Sequence, residues 1–199
     1  MRAVINISTQ PIRLGLIKPV WDLEQTDIFQ IPYDNLERTF ADRLYALIQD
    51  HTITELLVIN WPGWFTALRI CATTIATFQT TMENLKVYSL NKIKLFQSIL
   101  TTTSTEWLPI KYYLWVWQKR RCRAVDLTTW AHATILKEEV TNTTDIPFVS
   151  EEELQLDTSL VITPTDIIDR VRDTQHTFFT DKYLTRRISP DYMIQPTLG

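Results

Sequence analysis

Glu55-Leu56-Leu57-Val58-Ile59-Asn60-Trp61-Pro62-Gly63-Trp64-Phe65-Thr66-Ala67-Leu68-Arg69-Ile70 changes its hydrophobic period in the middle. Leu56 to Ile59 is a continuous apolar run, the pattern of a strand buried on both faces, and Pro62-Gly63 ends it. Beyond that turn, Leu68, Cys71, Ile75 and Phe78 recur at helical spacing, which predicts a helix over 64–80 with this face on a sheet. Upstream, Leu36, Phe40, Leu44, Leu47 and Ile48 form one stripe of a helix over 34–50, and Asp34 three residues before Glu37 resembles a capping box. Strands are expected over 2–7, 12–17 and 27–31, the first two joined by Ser8-Thr9-Gln10-Pro11 as a hairpin. Downstream, 85–90 reads as a strand, followed by a helix through Ile93, Phe96 and Leu100.

The resulting order, β-β-β-α-β-α-β-α, is that of the ribonuclease H-like core shared by the lobes of actin, sugar kinases and chaperone ATPases. The expected fold is therefore α/β and actin-like: a lobe over 1–102 with a mixed sheet and flanking helices, then a smaller C-terminal α/β lobe over 103–199. In that second part, Lys111 to Gln118 alternates Tyr113, Trp115 and Trp117 against Tyr112, Leu114 and Val116, and a hairpin returns through Arg123 to Leu127. Further strands are expected over 133–140 and 159–163. Thr163-Pro164-Thr165-Asp166 has the cap, the first-turn proline and the early acid of a helix carrying Ile167, Ile168 and Val171. The residues from Ser189 onward are expected to lie extended.

Composition narrows the chemistry. The 199 residues carry a net charge of −3, so no global field draws the chain to nucleic acid or anionic membrane. No apolar segment has the length of a membrane span, and the strand at the N-terminus leaves no room for a signal peptide, so a cytoplasmic location is expected. Cys71 and Cys122 lie in different elements without metal spacing and read as reduced packing residues. His51, His132 and His176 fall in no zinc motif, and no metal or cofactor is expected. With 3 glycines in all, a G-x-G-x-x-G fingerprint or a Walker loop is excluded. Ser8 is the nearest thing to a nucleophile and reads as a turn or cap residue; Glu138-Glu139 and Glu151-Glu152-Glu153 read as solvated surface.

A phosphate-binding hairpin needs an aspartate for metal-bound water and a glycine that brings backbone N–H groups to the phosphate. Asn6-Ile7-Ser8-Thr9-Gln10 supplies neither, so the nucleotide site of an actin-like ATPase reads as degenerate here. Lys119, Arg120, Arg121 and Arg123, beside Trp115 and Trp117, leave two readings open: a solvated hairpin turn over a Trp-filled core, or an RNA contact in which cations grip phosphates and aromatic faces stack bases.

Residues 61–70 resemble the G-P-G-S-F-T-G-L-R-I signature of the TsaB family, bacterial subunits of the machinery that makes threonylcarbamoyladenosine in tRNA. Pro62, Gly63, Phe65, Thr66, Leu68, Arg69 and Ile70 match; Trp61, Trp64 and Ala67 depart from it. Asn6-Ile7-Ser8-Thr9 stands where the family carries D-T-S-T, and Ser189-Pro190-Asp191-Tyr192 resembles its closing P-x-Y motif, which marks a divergent member. The resemblance implies a non-catalytic subunit that pairs with the related transferase TsaD, joins the small ATPase TsaE in a larger assembly and meets tRNA through that complex; whether the chain forms a homodimer when alone is left open by the sequence. It also implies that the helices over 34–50 and 64–80 meet those of the partner. On that basis Arg69, Ala72, Thr73 and Ala76 are expected to dock, with Phe65 and Thr66 shaping the helix start. The small side chains at Ala72, Thr73, Ala76 and Thr77 allow close helix approach, either to a partner or to helix 34–50 of the same chain. Two other functions compete with this one: an actin-like-fold ATPase or kinase, and an RNA-binding module acting through 119–123.

Overall fold

The computed structural model describes residues 1–9, 11–18, 27–60, 65–103, 111–118, 121–126, 132–136, 148–150, 159–185 and 188. Its first part runs β1 (Arg2–Asn6), β2 (Ile12–Ile17), β3 (Ile28–Ile31), α1 (Leu36–Asp50), β4 (Glu55–Ile59), α2 (Phe65–Thr81), β5 (Lys86–Leu90) and α3 (Lys92–Thr103), the order expected. These strands form one sheet in the order β3-β2-β1-β4-β5. β1 to β3 make an antiparallel meander, while β4 joins β1 and β5 joins β4 in parallel. Parallel neighbours need a long crossover, and α1 and α2 supply the connections into β4 and β5.

Strand alternation then sorts the side chains. Ile5, Leu14, Leu56, Val58 and Val87 join Phe40 and Leu44 of α1 and Leu68, Cys71 and Ile75 of α2 in one buried core. The start of α1 differs from the capping box expected at Asp34. The N-cap is Asn35 in the left-handed region at φ 56°, with no side-chain cap, and its carbonyl accepts from the N–H groups of Arg38 and Thr39 at 2.8 and 3.0 Å. Asparagine tolerates that conformation better than most residues, so the turn takes precedence over the cap.

On the other face of the sheet, Ile168 of α4 (Pro164–Asp173) lies against Gly15 and Gln175 of α5 (Gln175–Phe178) meets Arg2. α4 opens as its sequence indicates: the Asp166 N–H donates to Thr163 Oγ1 at 3.2 Å, and the Thr163 N–H donates to Asp166 Oδ2 at 2.7 Å. A Cβ on Gly15 would overlap Ile168 of α4, so glycine at this point of β2 is what lets the helix lie against the sheet. At the far end of the same face, Arg2 Nε donates to Glu55 Oε2 at 2.6 Å and Arg2 Nη1 to Gln175 Oε1 at 2.7 Å. The guanidinium stands 5.0 Å from the Phe179 ring centroid, and the Tyr88 hydroxyl donates to Glu55 Oε1 at 2.9 Å. Burial works to raise the Glu55 pKa, but the hydrogen bonds from Arg2 and Tyr88 and the charge of Arg2 hold the carboxyl below its ordinary value. Burial, then the same carboxylate, push Tyr88 up to about 12.

After α5 the chain pairs with the open edge of β5. The Ser89 N–H donates to the Tyr183 carbonyl at 2.9 Å and the Thr185 N–H to the Val87 carbonyl at 3.0 Å. One compact unit accordingly comprises Met1–Lys92 and Ile168–Gly199, and the other Ile93–Ile167. This partition differs from the single division between 102 and 103 drawn from the sequence, because the contacts of Ile168 and of 183–185 are with the first sheet.

The second unit holds β6 (Lys111–Gln118), β7 (Arg121–Asp126), β8 (His132–Leu136), β9 (Phe148–Ser150) and β10 (Ser159–Val161), in the order β10-β9-β6-β7-β8. β6 to β8 are antiparallel, with a register irregularity in β6 between Leu114 and Gln118; β9 is parallel to β6 and β10 to β9. The three-residue β9 is an element that the sequence reading did not contain.

Candidate docking surface

α2 follows directly from the segment that carries the signature, and its two sides differ in chemistry. Leu68, Cys71 and Ile75 are fully buried and Phe78 partly so, which is the sheet-facing stripe expected. Burial pushes the Cys71 thiol far above its ordinary pKa, which suits a packing residue. Ala72, expected at a partner interface, is 5% exposed and belongs to the chain's own core. It sits one residue round the helix from the outward stripe, where i, i+3, i+7 spacing from Thr66 selects Arg69, Thr73, Thr77 and Thr80 as exposed positions. Ala76 is half-buried at the margin of that stripe. Phe65 begins the helix, and Trp61 to Trp64 lie outside the described residues.

The threonines make this face less polar than their hydroxyls suggest. Thr77 Oγ1 donates to the Thr73 carbonyl at 3.0 Å, Thr80 Oγ1 to the Thr77 carbonyl at 2.7 Å and Thr81 Oγ1 to the Thr77 carbonyl at 3.0 Å. Hydroxyls bonded back to their own helix need no external partner. Beside them on α1, the Tyr45 ring is 50% exposed and meets Phe78 edge-on, with centroids 6.1 Å apart. Tyr45 and Thr80 escaped the sequence reading. The periodic hydroxyls after Thr66 were the available signal for Thr80; Tyr45 lies off the α1 apolar stripe and gave none.

The β1–β2 turn, where an actin-like enzyme holds phosphate, is occupied by its own side chains. Asn6 Oδ1 accepts from the Ser8 N–H at 3.1 Å and from Ser8 Oγ at 2.7 Å, and Thr9 Oγ1 donates to the Pro11 carbonyl at 3.0 Å. Asn6, Ser8 and Thr9 are all buried. The Asn6 carboxamide closes an Asx-type turn where a carboxylate would hold metal-bound water. Nearby, Asn60 Nδ2 donates to Ser89 Oγ at 2.8 Å across the ends of β4 and β5.

Of the basic run, Arg121 and Arg123 lie on β7, in register with Gln118 and Leu114, while Lys119 and Arg120 lie outside the described residues. Cys122 is also on β7. Glu138-Glu139, Glu151 to Glu153 and Ser189 to Tyr192 lie outside the described residues as well. His51 packs beside Phe29, His132 is on β8 and His176 on α5. Among the described residues no three His, Cys, Asp or Glu side chains group as a metal site, and no helix is long and apolar enough to cross a membrane.

A mixed sheet of this order flanked by helices is the ribonuclease H-like, actin-like fold. Solved structures that share it with this chain include one described as an uncharacterized protein with similarity to peptidase YeaZ from Pseudomonas aeruginosa, with a TM-score of 0.58 at 11% identity, covering 97% of this chain and 99% of that one. YeaZ from Pseudomonas aeruginosa matches with a TM-score of 0.53 at 10% identity, over 88% of this chain and 93% of that chain. No protein-family model matches the sequence, and no curated protein does.

Proposed function

We propose that this chain is a TsaB-like, non-catalytic subunit that binds a TsaD-like threonylcarbamoyl transferase through the outward face of α1 and α2. YeaZ is TsaB under another name, so the shared fold and the signature-like segment at 61–70 both support this reading. The observation that carries the reading is the outward face itself: back-bonded threonines at 77, 80 and 81 next to a half-exposed Tyr45, on a helix pair with a single cation, Arg69, in the α2 stripe. Small side chains admit a second helix pair at close range, and aromatic rings anchor such interfaces. The self-closed Asn6 turn supports a subunit without its own nucleotide chemistry. On this reading the chain works in the cytoplasm, self-associates through the same face when its partner is absent, and reaches a TsaE-like ATPase and tRNA only within the larger assembly.

Co-purification with the TsaD-like protein of the same organism tests it. Thr73→Arg is the variant of choice, since Thr73 is exposed and its replacement leaves the core untouched; Ala76→Arg probes the margin of the same face. A complex formed by the wild type and lost in Thr73→Arg supports the reading. A wild-type chain that does not associate at any ionic strength sinks it. Steep salt dependence of tRNA binding by the isolated chain, abolished by reversing Arg121 and Arg123, would favour the RNA-binding module instead.

A further inference from the structure

We propose that Gln79 is a positioning residue of the docking face: its carboxamide ties the C-terminal half of α2 to the stretch of Tyr183, Thr185 and Ile188, and so fixes where Thr77 and Thr80 stand. The role rests on α2 docking a partner, as proposed above, and adds a residue outside the exposed stripe. The two halves of α2 are held differently. Leu68, Cys71 and Ile75 bury the first half on the sheet, whereas none of residues 76–81 is buried. That second half also carries the back-bonded hydroxyls of Thr77, Thr80 and Thr81, and a threonine bonded to its own helix weakens and bends it. Apolar contact alone would leave this end free to tilt, because such contact has no direction.

Gln79 supplies the direction. Its Nε2 donates to the Thr185 carbonyl, 106 residues away in sequence. That carbonyl is held by the sheet: the Thr185 N–H donates to the Val87 carbonyl at 3.0 Å, the Ser89 N–H donates to the Tyr183 carbonyl at 2.9 Å, and Ile188 lies in the same buried cluster as Ile75 and Val87. The tie therefore runs from the helix to the edge of β5. Stability does not account for a glutamine here. Gln79 Oε1 is buried and meets no hydrogen-bond donor among the described residues. A buried acceptor left without a donor lowers stability, and a methionine of similar size would carry no such acceptor. What the amide adds over methionine is an oriented bond, which holds the helix at one angle. Close helix docking gains from such preorganisation, since freedom left to be lost on binding weakens it.

Wild type and Gln79→Met, compared as full chains, test the role through two measurements: residual dipolar couplings of the α2 amides, which report the orientation of the helix, and affinity for the TsaD-like protein of the same organism. The Gln79→Met chain is expected to melt at or above the temperature of wild type, to show changed couplings over 76–81 with those over 66–75 kept, and to bind the partner roughly tenfold more weakly. Ile188→Ala, which loosens the same stretch from its other side, should change the same couplings, and the two substitutions together should weaken binding no further than the stronger one alone. Unchanged couplings over 76–81 overturn the proposal whatever the partner does, and so does unchanged affinity beside a wild type that binds. A melting temperature that falls in step with affinity assigns Gln79 to packing and overturns it equally. A wild-type chain that binds no partner sinks the docking reading and leaves the couplings to decide the orientation of α2 alone.

Discussion

In the first sheet the order β3-β2-β1-β4-β5, and in the second β8-β7-β6-β9-β10, describe one topology: an antiparallel meander of three strands, then two strands added in parallel beside the first of them. The same plan is executed with different amounts of chain. β4 and β5 have 5 residues each, β9 and β10 only 3. Beyond β5 the sheet continues into Tyr183 and Thr185, while among the described residues no strand pairs outside β10. Strand length and edge pairing among the described residues, not topology, are thus what distinguish the two sheets. The first sheet has the features of a rigid platform for docking helices.

The sharpest way to break that contrast is native-state hydrogen exchange. Backbone amides of β5 should exchange at least roughly a hundredfold more slowly than those of β10, because opening a three-residue strand costs less than opening a five-residue strand paired on both sides. Equal protection would mean that the two sheets open as one cooperative unit. Of comparable size or larger, Phe40→Ala, which empties a fully buried position of α1, should lower unfolding stability by about 3–5 kcal/mol in urea titration. Gly15→Ala should cost about 1–3 kcal/mol, because the new methyl must displace Ile168. A neutral result there would show that α4 can shift without loss. The smallest effect concerns the Arg2–Glu55–Tyr88 network. The Glu55 pKa is lowered in the fold, so its contribution is present at neutral pH and disappears as the pH falls through the folded-state pKa. Glu55→Gln should cost about 0.5–1 kcal/mol at pH 7 and nothing once the wild-type carboxyl is protonated. A pH-independent difference would assign its role to packing.

The first half of the fold was legible because its strands and helices are long enough to show a period. Leu36, Phe40, Leu44 and Ile48, read as one stripe, are all buried, and β4 lies where the run from Leu56 predicted it. The second sheet was harder for a physical reason. Three residues such as Phe148 to Ser150 contain less than two repeats of strand alternation, and the pairing of β9 with β6 is non-local. The return of 183–185 to β5 is likewise a single bridge with no local signature. At the candidate surface, spacing separated the buried from the outward stripe of α2 but placed Ala72 on the wrong side of a boundary one residue wide. The back-bonding of the threonines, which depends on rotamers, could not be read from letters at all.

The pairing of 183–185 with β5 also orders events in time. A chain emerging from the ribosome delivers β1 to β5 first, yet the helices packed on their second face and the segment that closes their edge follow only after the second sheet. During the several seconds that synthesis of the intervening stretch takes, at about 5–20 residues per second, Val4, Leu57 and Ile59 await their cover. The nascent first sheet thus keeps one apolar face without its own cover until residues 164–185 have been made.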